Sequence, residues 1–206
     1  MSIIWKNLSA LFLSCLFIGC ASQSGNTVDT NSKSEVVNDV IMTRRSIRSY
    51  KQVPVSRDTL KSILDAGINA PSGQNKQSWE IRVADKPETM QSIMDAMALS
   101  NPDVINPGSC FRGAPVMLFI AKDDGYPFSS IDCGLLSENI MLSAWSMGVG
   151  SICLGSPISF IQNSPELLEM LGFSENYSLA ICIGLGYPDE KPEAKPRNKA
   201  KYTFLD

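Results

Sequence analysis

Not one of the 206 residues is histidine. Without an imidazole there is no Ser-His or Cys-His catalytic pair, no His-ligated zinc and no imidazole general base. Any chemistry must come from other side chains or from a bound group. The six cysteines include no CxxC pair, so the usual dithiol and zinc spacings are absent and no metal site is expected. Positive charge is in deficit, with 18 Lys and Arg against 21 Asp and Glu and a net charge of −3. That argues against a general nucleic-acid role, because binding to phosphate backbones needs a basic surface. A local basic pocket for one phosphate group stays open. Internal repeats are also missing.

The apolar share is 44% and the charged share 19%, as expected of one globular domain. The start of the chain stands apart from it. Residues 1–7 carry Lys6, and residues 8–19 form an apolar run too short for the ~20 residues of a stable membrane span. The run ends in Gly19-Cys20, and residues 21–33 are rich in Ser, Asn and Thr. A small residue before a cysteine at this place resembles a bacterial lipobox, although Phe17 stands where leucine is commoner. The expectation is a signal peptide over residues 1–19, lipidation of Cys20, a flexible tether over residues 20–37 and a single domain over residues 38–206. An uncleaved anchor, or an ordinary secretory signal with an incidental cysteine, is the alternative. The location is then the cell envelope, lipid-anchored on the periplasmic side, if the signal is used, and the cytoplasm otherwise. Outside the signal, Cys110, Cys133, Cys153 and Cys182 are expected mostly as free thiols. Cys153 and Cys182, inside apolar runs, read as small buried hydrophobes.

Residues 36–42 show helical spacing. Ser56 reads as the N-cap of a helix over residues 57–69 with Leu60, Ile63, Leu64 and Ile68 on one face. Residues 70–75 read as a loop, 78–84 as a strand and 87–99 as a helix opened by Pro87. Residues 101–113 have no regular pattern. The apolar run 115–121 predicts a strand buried on both faces. Residues 131–147 predict a helix apolar almost all round, packed centrally or across a subunit interface. Residues 152–154 read as a short strand, Ser164-Pro165-Glu166 as a capped helix start running to Leu171, and 177–185 as the last core strand. Residues 202–205 could add an edge strand. Helices and strands mix without repeats, so the class is α+β around a central mixed sheet.

Four segments could carry chemistry. Arg44, Arg45 and Arg48 around Ser46 gather guanidinium groups suited to phosphate oxygens, or form a solvated basic turn. Lys195-Pro196-Arg197 is a second basic cluster, or simply a soluble tail. Residues 71–79 (Pro71, Ser72, Gly73, Gln74, Asn75, Lys76, Gln77, Ser78, Trp79) offer donors and acceptors able to read the edge of a flat heterocycle, or form an ordinary turn. Gly148-Val149-Gly150, followed by residues 151–155, allows close backbone approach. It is not a GxGxxG fingerprint, since no strand precedes it and no helix is expected at its end.

Together and in this order, these segments resemble the FMN-dependent nitroreductase family over residues 40–202. Arg44, Ser46 and Arg48 resemble the opening FMN-contacting motif. Residues 71–79 resemble a Pro-Ser-x-x-Asn-x-Gln-Pro-Trp loop, except that Ser78 replaces its second proline. Residues 148–155 resemble the Gly-x-Gly segment whose following backbone lies against the flavin, and Lys195 and Arg197 resemble the basic pair on the phosphate.

The resemblance implies a nitroreductase-like fold with a mainly antiparallel sheet flanked by helices. It also implies a homodimer with FMN at the subunit interface, the 131–147 helix being the natural seam. Flavin N5 carries the hydride, so no side chain need be catalytic. Arg44, Lys195 and Arg197 are expected at the phosphate, with Arg45 in the same cluster. Ser46 and Arg48 fall nearer the ribityl chain and pyrimidine edge, Asn75 near N5 and O4 with Pro71, Ser72 and Gln77 around it, and Leu154 and Gly155 against one ring face. The implied reaction is ping-pong reduction of nitroaromatics, quinones or similar small acceptors by NAD(P)H or another donor. A lipoprotein outside the cytoplasm lacks free NAD(P)H, so a membrane electron carrier is the alternative donor. A non-catalytic flavin- or ligand-binding lipoprotein of the same fold is the rival reading.

Overall fold

The computed structural model describes residues 30–205. The expected signal peptide over residues 1–19 and the lipidated Cys20 lie outside these residues. Four strands form one sheet: β1 (Trp79–Ala84), β2 (Val116–Asp123), β3 (Gly150–Leu154) and β4 (Tyr177–Gly186), in the order β1–β2–β4–β3. Every ladder is antiparallel. The α+β expectation holds, and the parallel component of the expected mixed sheet shrinks to one bridge between Ser46 and Ser151.

The alternation of β2 sorts the core into two halves. Met117 and Phe119 point into a cluster with Met90, Ile93 and Met97 of α3 (Pro87–Ser100), Ile161 of α5 (Ser156–Gln162) and Leu167 of α6 (Pro165–Leu171). Val116, Leu118 and Ile120 point the other way, into Leu60 and Ile63 of α2 (Arg57–Ile68) and Leu136, Ile140 and Ala144 of α4 (Ser129–Ser146). Helices thus cover both faces, and the six residues 116–121 are all buried, as their continuous apolar run requires. Each large side chain so buried contributes about 1.5–3 kcal/mol.

The capping signals act where expected. Ser56 Oγ accepts from the Thr59 N–H at 3.1 Å and Ser164 Oγ from the Leu167 N–H at 3.4 Å. Gly148, at φ +74°, turns the chain out of α4 while the Val149 N–H closes on the Ala144 carbonyl at 2.9 Å.

Five expectations need correction. The tether expected over residues 20–37 is helical from Thr30, because α1 (Thr30–Thr43) extends well ahead of its apolar residues. Ile68 is 46% exposed. The buried stripe of α2 is instead Leu60, Ile63 and Gly67, because α4 approaches so closely that a Cβ on Gly67 would stand 2.5 Å from Ile140 Cγ1. Helix α5 opens directly after β3, its signal being Pro157 at the first turn. Cys153 is exposed rather than buried, since it faces outward on the edge strand β3. Tyr202, Phe204 and Leu205 are exposed and form no strand, pairing with neither edge of the sheet.

Candidate functional site

The segment after α1 is strapped along the sheet edge. The Ile47 N–H donates to the Ser151 carbonyl at 2.9 Å, next to the Ser46–Ser151 bridge. On the other side the Lys51 N–H donates to the Tyr187 carbonyl at 2.9 Å, and the Asp189 N–H to the Ser49 carbonyl at 3.0 Å. Residues 46–51 therefore run between β3 and the chain leaving β4. Ile47 and Tyr50 point inward and are buried, and the Tyr50 hydroxyl donates to the Ile47 carbonyl at 2.7 Å. Burial, with the Glu190 carboxylate, pushes the Tyr50 phenol far up, against a smaller opposing pull from Arg48. Glu190 also accepts from the backbone N–H groups of Arg48 and Ser49. With Ile47 and Tyr50 committed to the core, Arg48 and Ser49 are left facing solvent.

The three arginines separate in role. Arg44 is half-buried, and its Nε lies 3.8 Å from Glu138 Oε1 on α4, a loose and partly exposed pair worth at most about 1 kcal/mol. Arg45 turns back, donating to the Met42 and Arg44 carbonyls at 2.8 Å each, where its charge suits the C-terminal end of α1. Arg48 Nη1 donates to the Ser46 carbonyl at 3.1 Å. Trp145 Nε1 donates to Thr43 Oγ1 at 2.9 Å, so α4 holds the end of α1 that feeds this segment.

Strand β3 borders the strap. Ser151 is fully buried, and its hydroxyl has no hydrogen-bond partner. Cys153, on the same side of the strand, feels Arg44 and Glu138. Partial burial pushes its thiol up, Arg44 pulls it down and Glu138 pushes it up. The more enclosed Cys110 and Cys133 are pushed up to about 11 by burial, and among the described residues all four thiols are free. Leu154 is buried, whereas Gly155 faces open space, nothing lying within 4 Å of where its Cβ would be.

The loop before β1 is anchored on α4 rather than on β3. Gln74, Asn75 and Gln77 adopt φ of 54°, 55° and 49°, a left-handed conformation costing about 1–2 kcal/mol per residue, which persists where surroundings enforce it. Ser72 Oγ accepts from the Gln77 N–H at 3.0 Å. Asp132 of α4, 1% exposed, accepts from the Gly73 N–H at 3.0 Å and from Ser78 Oγ at 2.6 Å. Pro71, Asn75 and Gln77 face solvent. Lys195 and Arg197 are exposed, and Arg197 Nη1 donates to the Lys195 carbonyl at 3.3 Å. No contact among the described residues joins this pair to Arg44. Sequence reasoning did not single out Glu138, Glu190, Asp132 or Ser151. Asp132 carried a readable signal, a charged residue on the face of α4 that also bears Leu136.

Among the described residues no Cys, Asp or Glu cluster could hold a metal ion, and no helix is long and apolar enough to cross a membrane. A family profile described as "Nitroreductase family" matches residues 41–187. The chain belongs to the nitroreductase family. It is 32% identical over 158 residues to a protein of Archaeoglobus fulgidus that carries a provisional NADH dehydrogenase/NAD(P)H nitroreductase name, covering 74% of this chain and 86% of that one. It is 29% identical to an NADPH-flavin oxidoreductase of Vibrio harveyi, covering 77% and 68%. A crystal structure of a nitroreductase with bound FMN from Desulfitobacterium hafniense superposes with a TM-score of 0.74 at 28% identity, covering 83% of this chain and 98% of that one.

The nitroreductase-family match takes in the strap, the 71–78 loop and β3, and ends before Lys195 and Arg197. Close packing holds the strap in place: a Cβ on Gly150 would stand 2.6 Å from Ile47 Cγ1 and 2.9 Å from Pro188 Cγ. Ile47 is fully buried and cannot yield. Gly150→Ala is expected to destabilise the fold by about 1–3 kcal/mol, measured by urea unfolding. Unchanged stability would contradict the tight strap.

Proposed function

We infer that this chain is an FMN-dependent oxidoreductase that reduces small electrophilic acceptors, nitroaromatics or quinones among them, at the expense of NAD(P)H or another reduced donor. The observation that carries the reading is the strap. It sets Arg44, Ser46 and Arg48 beside a strand that is followed by an open glycine and contains an unpartnered buried hydroxyl. These residues fit the cofactor. Arg44 has only a loose carboxylate partner to exchange for a phosphate oxygen. Gly155 leaves room for a flat ring, and the side-chain amides of Asn75 and Gln77 are exposed at a rigid loop. The names of relatives that act as NAD(P)H- or NADPH-dependent enzymes, and the FMN bound by the Desulfitobacterium hafniense protein, point the same way.

In this reading Arg44, joined by Lys195 and Arg197, holds the phosphate, while Ser46 and Arg48 serve the ribityl chain and pyrimidine edge. Arg45 supports the cluster from the end of α1. Asn75, framed by Pro71, Ser72 and Gln77, meets the N5–O4 edge, and the backbone of Leu154 and Gly155 lies against one face. When bound, FMN supplies a carrier that takes up and returns a hydride at N5. The positive charge of Arg48 favours the anionic reduced form. The open space beside Gly155 would leave room for donor and acceptor to reach such a group in turn, as ping-pong kinetics requires.

The acting unit in this proposal is a homodimer. A second apolar stripe on α4 (Ile131, 60% exposed, and Leu135, 41%) lies open, as do Val36, Val37, Ile41 and Met42 of α1. Asp132, which holds the Asn75 loop, and Glu138, which meets Arg44, are six residues apart, roughly 9 Å along α4 and on different faces of it. A second copy could present its loop to the first copy's arginines. We also propose that Cys20 is lipidated and the domain displayed on the envelope, on the strength of the apolar run and the small residue before Cys20. The donor there would be a membrane electron carrier.

Three outcomes are expected. FMN binds the purified protein, and anaerobic NADH, NADPH or a reduced quinol bleaches it. Arg44→Ala and Arg197→Ala each weaken FMN binding about 10- to 100-fold, the worth of one hydrogen bond to a charged group, in fluorescence titration. Unchanged affinity in both variants, or a yellow protein inert to every donor, would overturn the reading. In a bacterial host, labelled palmitate marks the wild type and not Cys20→Ala; an unlabelled wild type would overturn the anchor.

A further inference from the structure

The loop that carries Asn75 has little of its own to hold it. Gln74, Asn75 and Gln77 all sit in the left-handed region, which a free loop of non-glycine residues would leave. Inside the loop, the Asn75 and Lys76 N–H groups donate to the Ser72 and Gly73 carbonyls at 3.0 Å each, and the Gln77 N–H donates to Ser72 Oγ. These bonds shape the turn but tie it to nothing else.

At its far end the Ser78 carbonyl accepts from the Asp123 N–H at 3.2 Å; the side-chain tie to the rest of the protein is a carboxylate 59 residues from Gly73 in sequence. Asp132 Oδ1 accepts from the Gly73 N–H at the start of the turn, and Asp132 Oδ2 accepts from Ser78 Oγ at its end, where β1 begins. One rigid group thus spans both ends of the six-residue segment from Gly73 to Ser78. Asp132 is 1% exposed and Ser78 2%, so the Ser78 bond is shielded from water and worth more for it, while the Gly73 bond is partly buried. The carboxylate itself is tolerable there because both oxygens are bonded and it lies in the first turn of α4, where the helix end favours negative charge. From the other side Tyr126 presses on the loop, with Lys76 Nζ 4.6 Å from its ring centroid. Asp132 faces Cys133 on its own helix and, on the packed loop, Gly73 and Ser78. No cation among the described residues pairs with it.

We propose that Asp132 is the positioning residue of the flavin-edge loop: by gripping Gly73 and Ser78 it holds Gln74, Asn75 and Gln77 in their left-handed turn and so aims the Asn75 amide. The proposal rests on the reading that this loop meets the flavin. Its first mark is independent of the cofactor, because the grip exists without it.

Three variants separate the possibilities in the full-length protein. Ser78→Ala removes one bond and almost no volume. Asp132→Asn keeps an acceptor for Gly73 and can donate to Ser78 Oγ, and so restores the grip. Asn75→Ala removes the aimed amide and leaves the grip intact. In the FMN-free protein, Ser78→Ala is expected to speed amide exchange across residues 73–77 about tenfold, with Asp132→Asn close to wild type. Ser78→Ala and Asn75→Ala should each weaken FMN binding about tenfold in fluorescence titration, whereas only Ser78→Ala should change exchange. Weaker FMN binding in Asn75→Ala alone would overturn the grip and leave the flavin reading standing. Faster exchange in Ser78→Ala with FMN affinity unchanged in both Ser78→Ala and Asn75→Ala would reduce Asp132 to a structural role, and would also remove the loop from the flavin site.

Discussion

The arrangement depends on the pairing of residues 46–51 with two stretches of chain at once. Ser46 and Ile47 take the free edge of β3 at Ser151, and Ser49 and Lys51 pair with residues 187–189 as the chain leaves β4. Strands β3 and β4 are antiparallel with Gly150 opposite Gly186. The start of one and the end of the other therefore meet at the same end of the sheet, and the strap closes over both. Once Ile47 and Tyr50 are committed to the core, the direction of Arg44, Ser46 and Arg48 follows from backbone geometry. The basic cluster is thereby divided: Arg44 meets Glu138, Arg45 turns back onto the end of α1, and Arg48 faces solvent.

Helix α4 does a comparable job for the rest of the site. A single helix carries Asp132 against the 71–78 loop, Glu138 against Arg44, Asn139 against the Ala66 carbonyl at 3.3 Å, and Trp145 against Thr43. Its buried stripe of Leu136, Ile140 and Ala144 fixes its height over the sheet. Every one of these polar reaches is set by that packing. Its second apolar stripe is spare in one chain, which is why a helix apolar nearly all round is not buried all round here.

Much of this was legible in the amino-acid order because it is written in local chemistry. Ser56 and Ser164-Pro165 announce helix starts, residues 115–121 announce a doubly covered strand, and the four motif segments in order point to the family that the profile match bears out. What was not legible depends on distant partners. Cys153 sits in an apolar run, yet it is exposed on the edge strand β3, although Ser151 on the same side of that strand is fully buried. Ile68 has the right spacing for the core but loses its place to Gly67, a choice made by Ile140 on another helix. Ser78 stands where the resembled loop has proline. Its use, the bond to Asp132, joins residues 54 apart with no periodic signal. Residues 202–205 have the composition of a strand but pair with no edge of the sheet.

The claim that the strapped segment builds the cofactor site is tested most directly by a crystal structure of the protein with FMN. The account predicts the phosphate on Arg44, with Glu138 displaced from it, and the ring against the backbone of Leu154 and Gly155. A flavin bound elsewhere, with the Arg44–Glu138 pair intact and the open side of Gly155 vacant, would contradict it.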